Sequence, residues 1–330
     1  MQWGARETAG LLTPAAAADA LAAALLAGLD PERCPPRAAV AVPGGELLLM
    51  PAASGGYAGV KIAGVAPGNP ARGLPRITGA YLLLDGPTLR PLALFDGAAL
   101  TALRTPAVSA LALRYLAPAG RPLRLVLFGS GPQAYGHLEA ALAVRELAGV
   151  VVVARDPGRA RRLAAHARSL GVAARTGTPA DVAGADLVIC CTSARRPLFD
   201  GRLVGPDATV VAIGSHEPQA REIDTALVRR AAVYVESRAA ALREAGDLLI
   251  PAAEAGDASG GNGMTDGPAG SAGAGGPVHI NGTLADLVRG RKPGGGPPGC
   301  PQLFKGVGAA WEDLVVAVAL FEAAGANSAT

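Results

Sequence analysis

LVLFGSGPQAYGHLEAALAV, residues 125–144, is an apolar run that breaks into Gly-Ser-Gly-Pro and resumes as an alanine-leucine helical pattern. Leu125 to Phe128 reads as a buried strand, and the helix is predicted to start near Gly131. A phosphate-binding turn has this layout, with a dinucleotide pyrophosphate held by the unpaired N–H groups of the helix start. In that reading Gly129 makes the tight turn, Gly131 lets the backbone approach the phosphates, and Ala134 stands where helix and sheet pack closely. An ordinary strand-turn-helix connection would carry the same residues, so the neighbouring sequence has to choose between the two.

The neighbouring sequence favours the nucleotide. From residue 123 to about residue 250, apolar β-type runs alternate with Ala/Arg/Leu helical patterns. LRLVLF, VVVVA, DLVICCT, ATVVAIG and AVYVE are strand candidates; QAYGHLEAALAVRELA, PGRARRLAAHARSL and the short TPADVAG lie between the first of them. Continuous apolar strands separated by helices argue for a parallel sheet covered on both faces. The Gly-Ser-Gly turn is then the first βα turn of a Rossmann-type doubly wound sheet, where such a fingerprint is expected. The second strand ends VVVVARDPGRARRL. NAD-binding versions carry an acid at this strand end for the ribose hydroxyls. Here Ala154 and Arg155 stand there, with Asp156 one step later and Arg159 and Arg161 in the next helix start. An arginine fork suits a 2′-phosphate, so NADP(H) is favoured, while Asp156 keeps NAD(H) possible. Together with Arg162, the same arginines could instead form a solvated basic helix face.

The first 118 residues have another pattern. LLTPAAAADALAAALLAGL is a helix; AAVAVPGG, LLLMPA, GVKIAGVAP, AYLLLDG and PLALFDG are short strands joined by Pro/Gly turns; RTPAVSALALRYLA is a further helix. The expected division is a mixed α+β domain over residues 1–118, joined by a C-terminal apolar helix at 303–330, and a nucleotide domain over 119–302. FKGVGAAWEDLVVAVALFEAA is expected to be that helix, returning between the domains. Residues 255–278 are nearly all Gly, Ala, Ser and Asp, a composition that buries little apolar surface, and read as a mobile loop.

Of the 330 residues 50% are hydrophobic and 17% charged, enough for two ordinary cores, which a 4% aromatic content makes aliphatic. The net charge of +3 with no long Lys/Arg block argues against a nucleic-acid partner. Cys34, Cys190, Cys191 and Cys300 show no metal-ligand spacing, so no metal is expected, and Cys190 and Cys191 read as small core residues. No secretory leader is recognised, and the Ala/Leu segment from Pro14 to Leu29 is too short to span a membrane. A reduced, cytoplasmic compartment without membrane attachment is the expectation.

Several stretches together resemble the ornithine cyclodeaminase/mu-crystallin family: MPA at 50–52, GVKI around Lys61, PGN at 67–69, ALFDGAALTALRTPAVSALA at 93–112, GSGPQA at 129–134, CTS at 191–193, REID at 221–224, REAGD at 243–247 and FKGVGAAWEDL at 304–314. The likeness runs over nearly the whole chain outside the glycine-rich segment. The R-T-x-A-x-S-A run just ahead of G-x-G-x-Q-A is its most specific part. The resemblance implies a homodimer built on the mixed domain, and a nicotinamide facing a small amino or imino acid in an interdomain cleft. It implies a cationic pocket of Arg37, Lys61 and Arg104 for the substrate carboxylate, and cofactor contacts from Thr105, Gly129, Gly131, Gln133, Ala134, Arg155, Arg159, Thr192 and Ser193.

Chemistry can weigh these residues separately. Lys61 lies in an otherwise apolar strand, where an unpaired ammonium is costly, so it either serves a ligand or has a buried structural partner. Arg104 is read at the start of a helix, and Arg37 follows Pro-Pro, where solvent exposure is equally plausible. Glu244 matches a family glutamate near the ligand; with Lys61 it is the expected catalytic pair for proton transfer, against the alternative of an exposed helix-end carboxylate. Asp247 is expected to brace its turn through backbone N–H groups. One departure is informative. Cyclodeaminases of the family carry an aspartate just after the strand ATVVAIG, where this chain has Ser215, His216 and Glu217, with Asp224 further on. Either His216 or Glu217 is left as its replacement. The departure favours an NAD(P)H-dependent reductase of a small cyclic α-imino acid, such as pyrroline-2-carboxylate going to proline. An ornithine cyclodeaminase with retained NAD⁺, an amino-acid or opine-type dehydrogenase, and a non-catalytic NADPH-dependent binding protein are the alternatives.

Overall fold

The computed structural model describes residues 2–4, 10–259, 264–266, 278–293 and 299–327. The chain divides into two units, Met1–Val108 with Ala309–Thr330, and Ser109–Gly308. The dividing point falls inside a helix, Gly97–Leu116, that the sequence assigned whole to the first domain.

The first unit is built on six strands: β1 (Gln2–Trp3), β2 (Ala38–Val42), β3 (Gly45–Ser54), β4 (Tyr57–Val65), β5 (Ile77–Asp85) and β6 (Pro91–Asp96), in the order β1-β6-β5-β4-β3-β2. β2 to β6 form an antiparallel meander and β1 adds parallel to β6. Alternation sorts the side chains. Met50, Lys61, Tyr81 and Phe95 lie side by side in register, and with Leu48, Ala52, Ala63 and Leu83 they make a buried face. Helix α1 (Pro14–Leu26) begins at Thr13, whose hydroxyl accepts the Ala16 N–H at 3.2 Å. Helix α2 (Gly97–Leu116) follows β6 directly, with Asp96 accepting the Ala99 N–H at 2.8 Å. Arg104 therefore lies well inside a helix, not at its start: the GAAL that precedes it is already helical.

The second unit carries nine described strands in one parallel sheet, in which β7 (Leu123–Phe128), β8 (Leu147–Val153), β9 (Ala174–Thr176), β10 (Leu187–Cys190), β11 (Thr209–Ala212), β12 (Ala232–Val235), β13 (Met264–Asp266), β14 (Val278–Thr283) and β15 (Gln302–Lys305) take the order β13-β14-β12-β15-β11-β10-β7-β8-β9. The chain runs outward from β7 to β9, then returns to lay β10 on the other side of β7. That reversal is the switch point at which open α/β sheets bind ligands. Helices α3 (Pro132–Val144), α4 (Pro157–Ser169), α5 (Thr225–Arg230), α6 (Arg238–Glu244), α7 (Gly246–Ser259) and α8 (Leu284–Val288) connect the strands. Leu125, Leu127, Ile189 and Val211 are as buried as Val126, Val188, Val210 and Val233, so both faces of the sheet are covered. The Rossmann-type sheet and the mixed α+β unit are both present.

Three expectations are corrected. The helix read through Ala148 ends at Val144: Arg145 is extended, its guanidinium bonds the Val144 and Arg114 carbonyls at 2.9 and 2.8 Å, and Leu147 is already paired with Leu123. Phe304 and Lys305, read as the start of the C-terminal helix, belong to β15, which inserts between β11 and β12; helix α9 begins at Ala310 and runs to Asn327. In the first unit α9 lies against β3, β4, β5 and α1. Of the segment read as a loop, 255–259 complete α7 and Met264–Asp266 pair with Val278–Ile280 as β13, while 260–263 and 267–277 lie outside the described residues.

Candidate active site

In the second unit, Gly129 follows β7 with φ +117°, and a Cβ there would come within 2.6 Å of the Cys191 carbonyl oxygen, so the turn admits only glycine. That contact also places the turns after β7 and β10 side by side at the switch point. Gly131 is the N-cap of α3 and offers no side-chain hydrogen bond, whereas Asp156, Asp224, Ser237 and Thr283 cap α4, α5, α6 and α8. A Cβ at Gly131 would meet no atom within 4 Å. The α3 start thus combines the lack of a side-chain cap with open space above Gly131, a geometry that fits a pyrophosphate. Ala134 is fully buried beneath it, Gln133 half-buried, Ser193 exposed. At the end of β8, Arg155 and Arg159 are exposed. The Asp156 carboxylate accepts the Arg159 N–H at 3.0 Å and lies 3.7 Å from its Nε.

Beneath the strand ends lies an ionic network the sequence did not announce. Glu222 accepts the Thr192 N–H and hydroxyl, both at 2.7 Å, on one oxygen and the Gly214 N–H at 2.7 Å on the other. Asp247 accepts the Glu222 and Ile223 N–H groups at 2.6 and 3.0 Å, and its second oxygen is 2.9 Å from Lys305 Nζ, which donates to the Ser215 carbonyl at 2.6 Å. Glu222, Asp247 and Lys305 are all buried. Burial raises the Glu222 pKa, against the pull of Lys305. Thr192 is therefore a holder of its loop, and Asp247 braces backbone outside its own turn. Glu217 pairs with Arg195 at 2.6 Å, and Asp224 accepts the Leu227 and Gly201 N–H groups as the α5 cap. Glu244, read alternatively as an exposed helix end, is buried as the last residue of α6, its Oε1 bonded by Arg243 at 2.9 and 2.7 Å.

In the first unit, Lys61 and Arg104 are brought together by two acids from α9. Lys61 Nζ is 2.7 Å from Asp313; Arg104 donates from Nε to Asp313 at 3.2 Å and from a terminal nitrogen to Glu312 at 2.7 Å. All four are buried, the two carboxylates completely. Glu312 and Asp313 occupy the first turn of α9, where the helix dipole favours negative charge. Burial lowers the Lys61 pKa from 10.5 to about 8; Asp313 opposes the fall and Arg104 adds to it. The Cys34 thiol, pushed up by burial, stands by the Trp311 and Ala310 N–H groups at the start of the same helix. Arg37 is half-buried just ahead of β2, and the Thr105 hydroxyl is buried without a partner among the described residues. The pair Glu312–Asp313 was missed by sequence reasoning as a functional element, although W-E-D heading an apolar helix is an acid pair with a reason to be there.

The profile of the ornithine cyclodeaminase/mu-crystallin family matches residues 10–328. The chain is 39% identical over 185 residues to a Delta(1)-pyrroline-2-carboxylate reductase of Colwellia psychrerythraea, covering 55% of this chain and 58% of that one. It is 32% identical over 257 residues to ketimine reductase mu-crystallin of Rattus norvegicus, covering 77% and 72%. Among solved structures, Delta(1)-pyrroline-2-carboxylate reductase of Thermococcus litoralis in complex with NADH and L-proline superposes with a TM-score of 0.87 at 28% identity, covering 99% of this chain and 98% of that one.

Proposed function

The chain belongs to the ornithine cyclodeaminase/mu-crystallin family, and on that footing we propose that it is an NAD(P)H-dependent reductase of a small cyclic α-imino acid, with pyrroline-2-carboxylate to proline as its type reaction. The buried cluster of Lys61 and Arg104 against Glu312 and Asp313 carries this reading. An imino acid brings a carboxylate, and a carboxylate is recognised by buried, oriented cations. Lys61 and Arg104, with Arg37, bind it in this proposal.

Reducing C=N requires a hydride at carbon and a proton at nitrogen. The dihydronicotinamide, when bound, supplies the hydride. Lys61, with a pKa near 8 and its ammonium fixed by Asp313, holds a proton it can release near neutral pH. Glu244, a buried carboxylate oriented by Arg243, is the proposed second proton carrier. Gly129, Gly131, Gln133 and Ala134 would hold the pyrophosphate, with Thr105, Thr192 and Ser193 shaping the rest of the cofactor site. Arg155 and Arg159 would hold a 2′-phosphate. Asp156, the acid that could serve the NAD ribose, is engaged as the α4 cap, which supports NADPH as the preferred donor. The reductase is favoured over the cyclodeaminase because Glu217 is bound to Arg195 and Asp224 caps α5, so neither carboxylate is unengaged for the amine.

A homodimer belongs to the same proposal. The outer face of the mixed sheet presents Val40, Val42, Leu47, Ile62 and Leu94 to solvent, each at least 37% exposed, a surface suited to a second copy of this chain. The test of the reaction is isotopic. NADPH deuterated at the transferring position of nicotinamide C4 should deliver deuterium to Cα of the proline formed. Unlabelled proline and ammonia appearing from ornithine, with no net change in the cofactor, would sink the reductase reading.

A further inference from the structure

Tyr81 on β5 stands directly opposite Lys61 on β4, so the two side chains leave the sheet on the same face. Tyr81 is completely buried, yet its hydroxyl has no hydrogen-bond partner among the described residues. Buried tyrosine hydroxyls ordinarily find one. Its place is defined: the ring lies over Gly59, where a Cβ would come within 2.3 Å of the hydroxyl oxygen, and Gly59 shares the face of Lys61 two residues along β4. A phenylalanine would fill the same space without the orphaned group, so packing alone does not explain a tyrosine here.

The surroundings suit a donor. Burial, then the negative field of Asp313, pushes the Tyr81 phenol well above its ordinary pKa, so it stays neutral and keeps its proton. Asp313 is the carboxylate that holds Lys61. An ammonium has three N–H groups, and the ion-pair partner of Lys61 among the described residues is Asp313. The cluster of Lys61, Arg104, Glu312 and Asp313 is formally balanced, two cations against two anions. A carboxylate entering it adds negative charge. A neutral O–H stabilises that charge without lowering the Lys61 pKa further, as another cation would and as Arg104 already does.

We infer that Tyr81 is a further substrate-binding residue, whose hydroxyl donates a hydrogen bond to a carboxylate oxygen of the imino acid held by Lys61 and Arg104; this rests on the function proposed above. Tyr81 contributes carboxylate selectivity from its place on the sheet.

The experiment is Tyr81→Phe, assayed with pyrroline-2-carboxylate and NADPH. KM for the imino acid should rise about ten- to a hundredfold, the loss of one hydrogen bond to a charged group. KM for NADPH should stay within about twofold, and the midpoint of thermal unfolding should not fall, since the change removes an unsatisfied buried group. A structural hydroxyl would give the opposite pattern: a lowered midpoint and an unchanged imino-acid KM. A wild-type protein that oxidises neither NADPH nor NADH with any cyclic imino acid overturns the parent reading and this one with it. An active wild type whose Tyr81→Phe variant keeps its imino-acid KM overturns the role of Tyr81 alone.

Discussion

Replacing Asp313 by asparagine removes the charge that does most to keep Lys61 protonated. In the native protein burial brings the Lys61 pKa from 10.5 down to about 8, with Asp313 the largest influence in the other direction. The carboxylate is 2.7 Å from Nζ, and losing an opposite charge that close puts Lys61 of the variant at about 7 or lower. Arg104 keeps Glu312 at 2.7 Å, so half the cluster is retained. If carboxylate binding and proton delivery need the ammonium, kcat/KM for the imino acid falls in the native enzyme as pH rises through about 8. In Asp313→Asn the same limb moves down by about one pH unit or more, leaving roughly a fivefold deficit or more at pH 8 that grows toward tenfold above pH 9 and narrows toward pH 6. Initial rates of NADPH oxidation at subsaturating imino acid, from pH 6 to 10, read both limbs. Limbs that coincide, or native activity undiminished to pH 10, would refute the assignment of Lys61 as the proton-holding cation. Stability gives a second readout. Between about 8 and 10.5 the unfolded chain keeps the Lys61 proton that the native state has released, so native stability rises with pH across that window. The difference is on the order of 3 kcal/mol, and Lys61→Met should flatten that rise.

The remaining predictions concern the second unit. Gly131→Ala should leave the unfolding midpoint nearly unchanged, because a Cβ meets nothing there, yet weaken NADPH binding about tenfold or more by titration of nucleotide fluorescence. Gly129→Ala should lower the midpoint itself, because φ is +117° and the Cys191 carbonyl is 2.6 Å from the added carbon. Arg159→Glu should raise KM for NADPH by about tenfold or more while KM for NADH changes little; equal effects on both would remove the 2′-phosphate role. Glu222→Gln sets an amide donor against groups that already donate, at Thr192 or Gly214, and should cost about 1–3 kcal/mol in chemical denaturation.

How much of this the sequence disclosed depends on how local each signal is. β7, β10, β11 and β12 are short apolar runs bounded by turn residues, and the Gly-Ser-Gly turn sits between a strand and a helix that both announce themselves, so that part of the sheet was legible. β9, β13, β14 and β15 were not. ART and MTD are three residues long, VHINGT alternates with polar residues, and QLFK takes its place only by inserting between β11 and β12 from far along the chain. The site shows the same division. Lys61 in an apolar strand and Arg104 in the R-T-x-A-x-S-A run could be singled out, but their partners come from α9, more than 200 residues from either cation. Tyr81 carried no signal, because a tyrosine in a strand is ordinary until its hydroxyl is found buried and without a partner among the described residues. Thr192 was read as a cofactor contact from its loop position; only coordinates reveal that its hydroxyl is held by Glu222.

The most direct test of the central claim is absorbance at the reduced-nicotinamide band, with purified protein, pyrroline-2-carboxylate and either NADPH or NADH. The account predicts that the absorbance falls, faster with NADPH, with one proline formed per reduced cofactor oxidised. Absorbance that holds steady with both cofactors, across pyrroline- and piperideine-2-carboxylate, would contradict it.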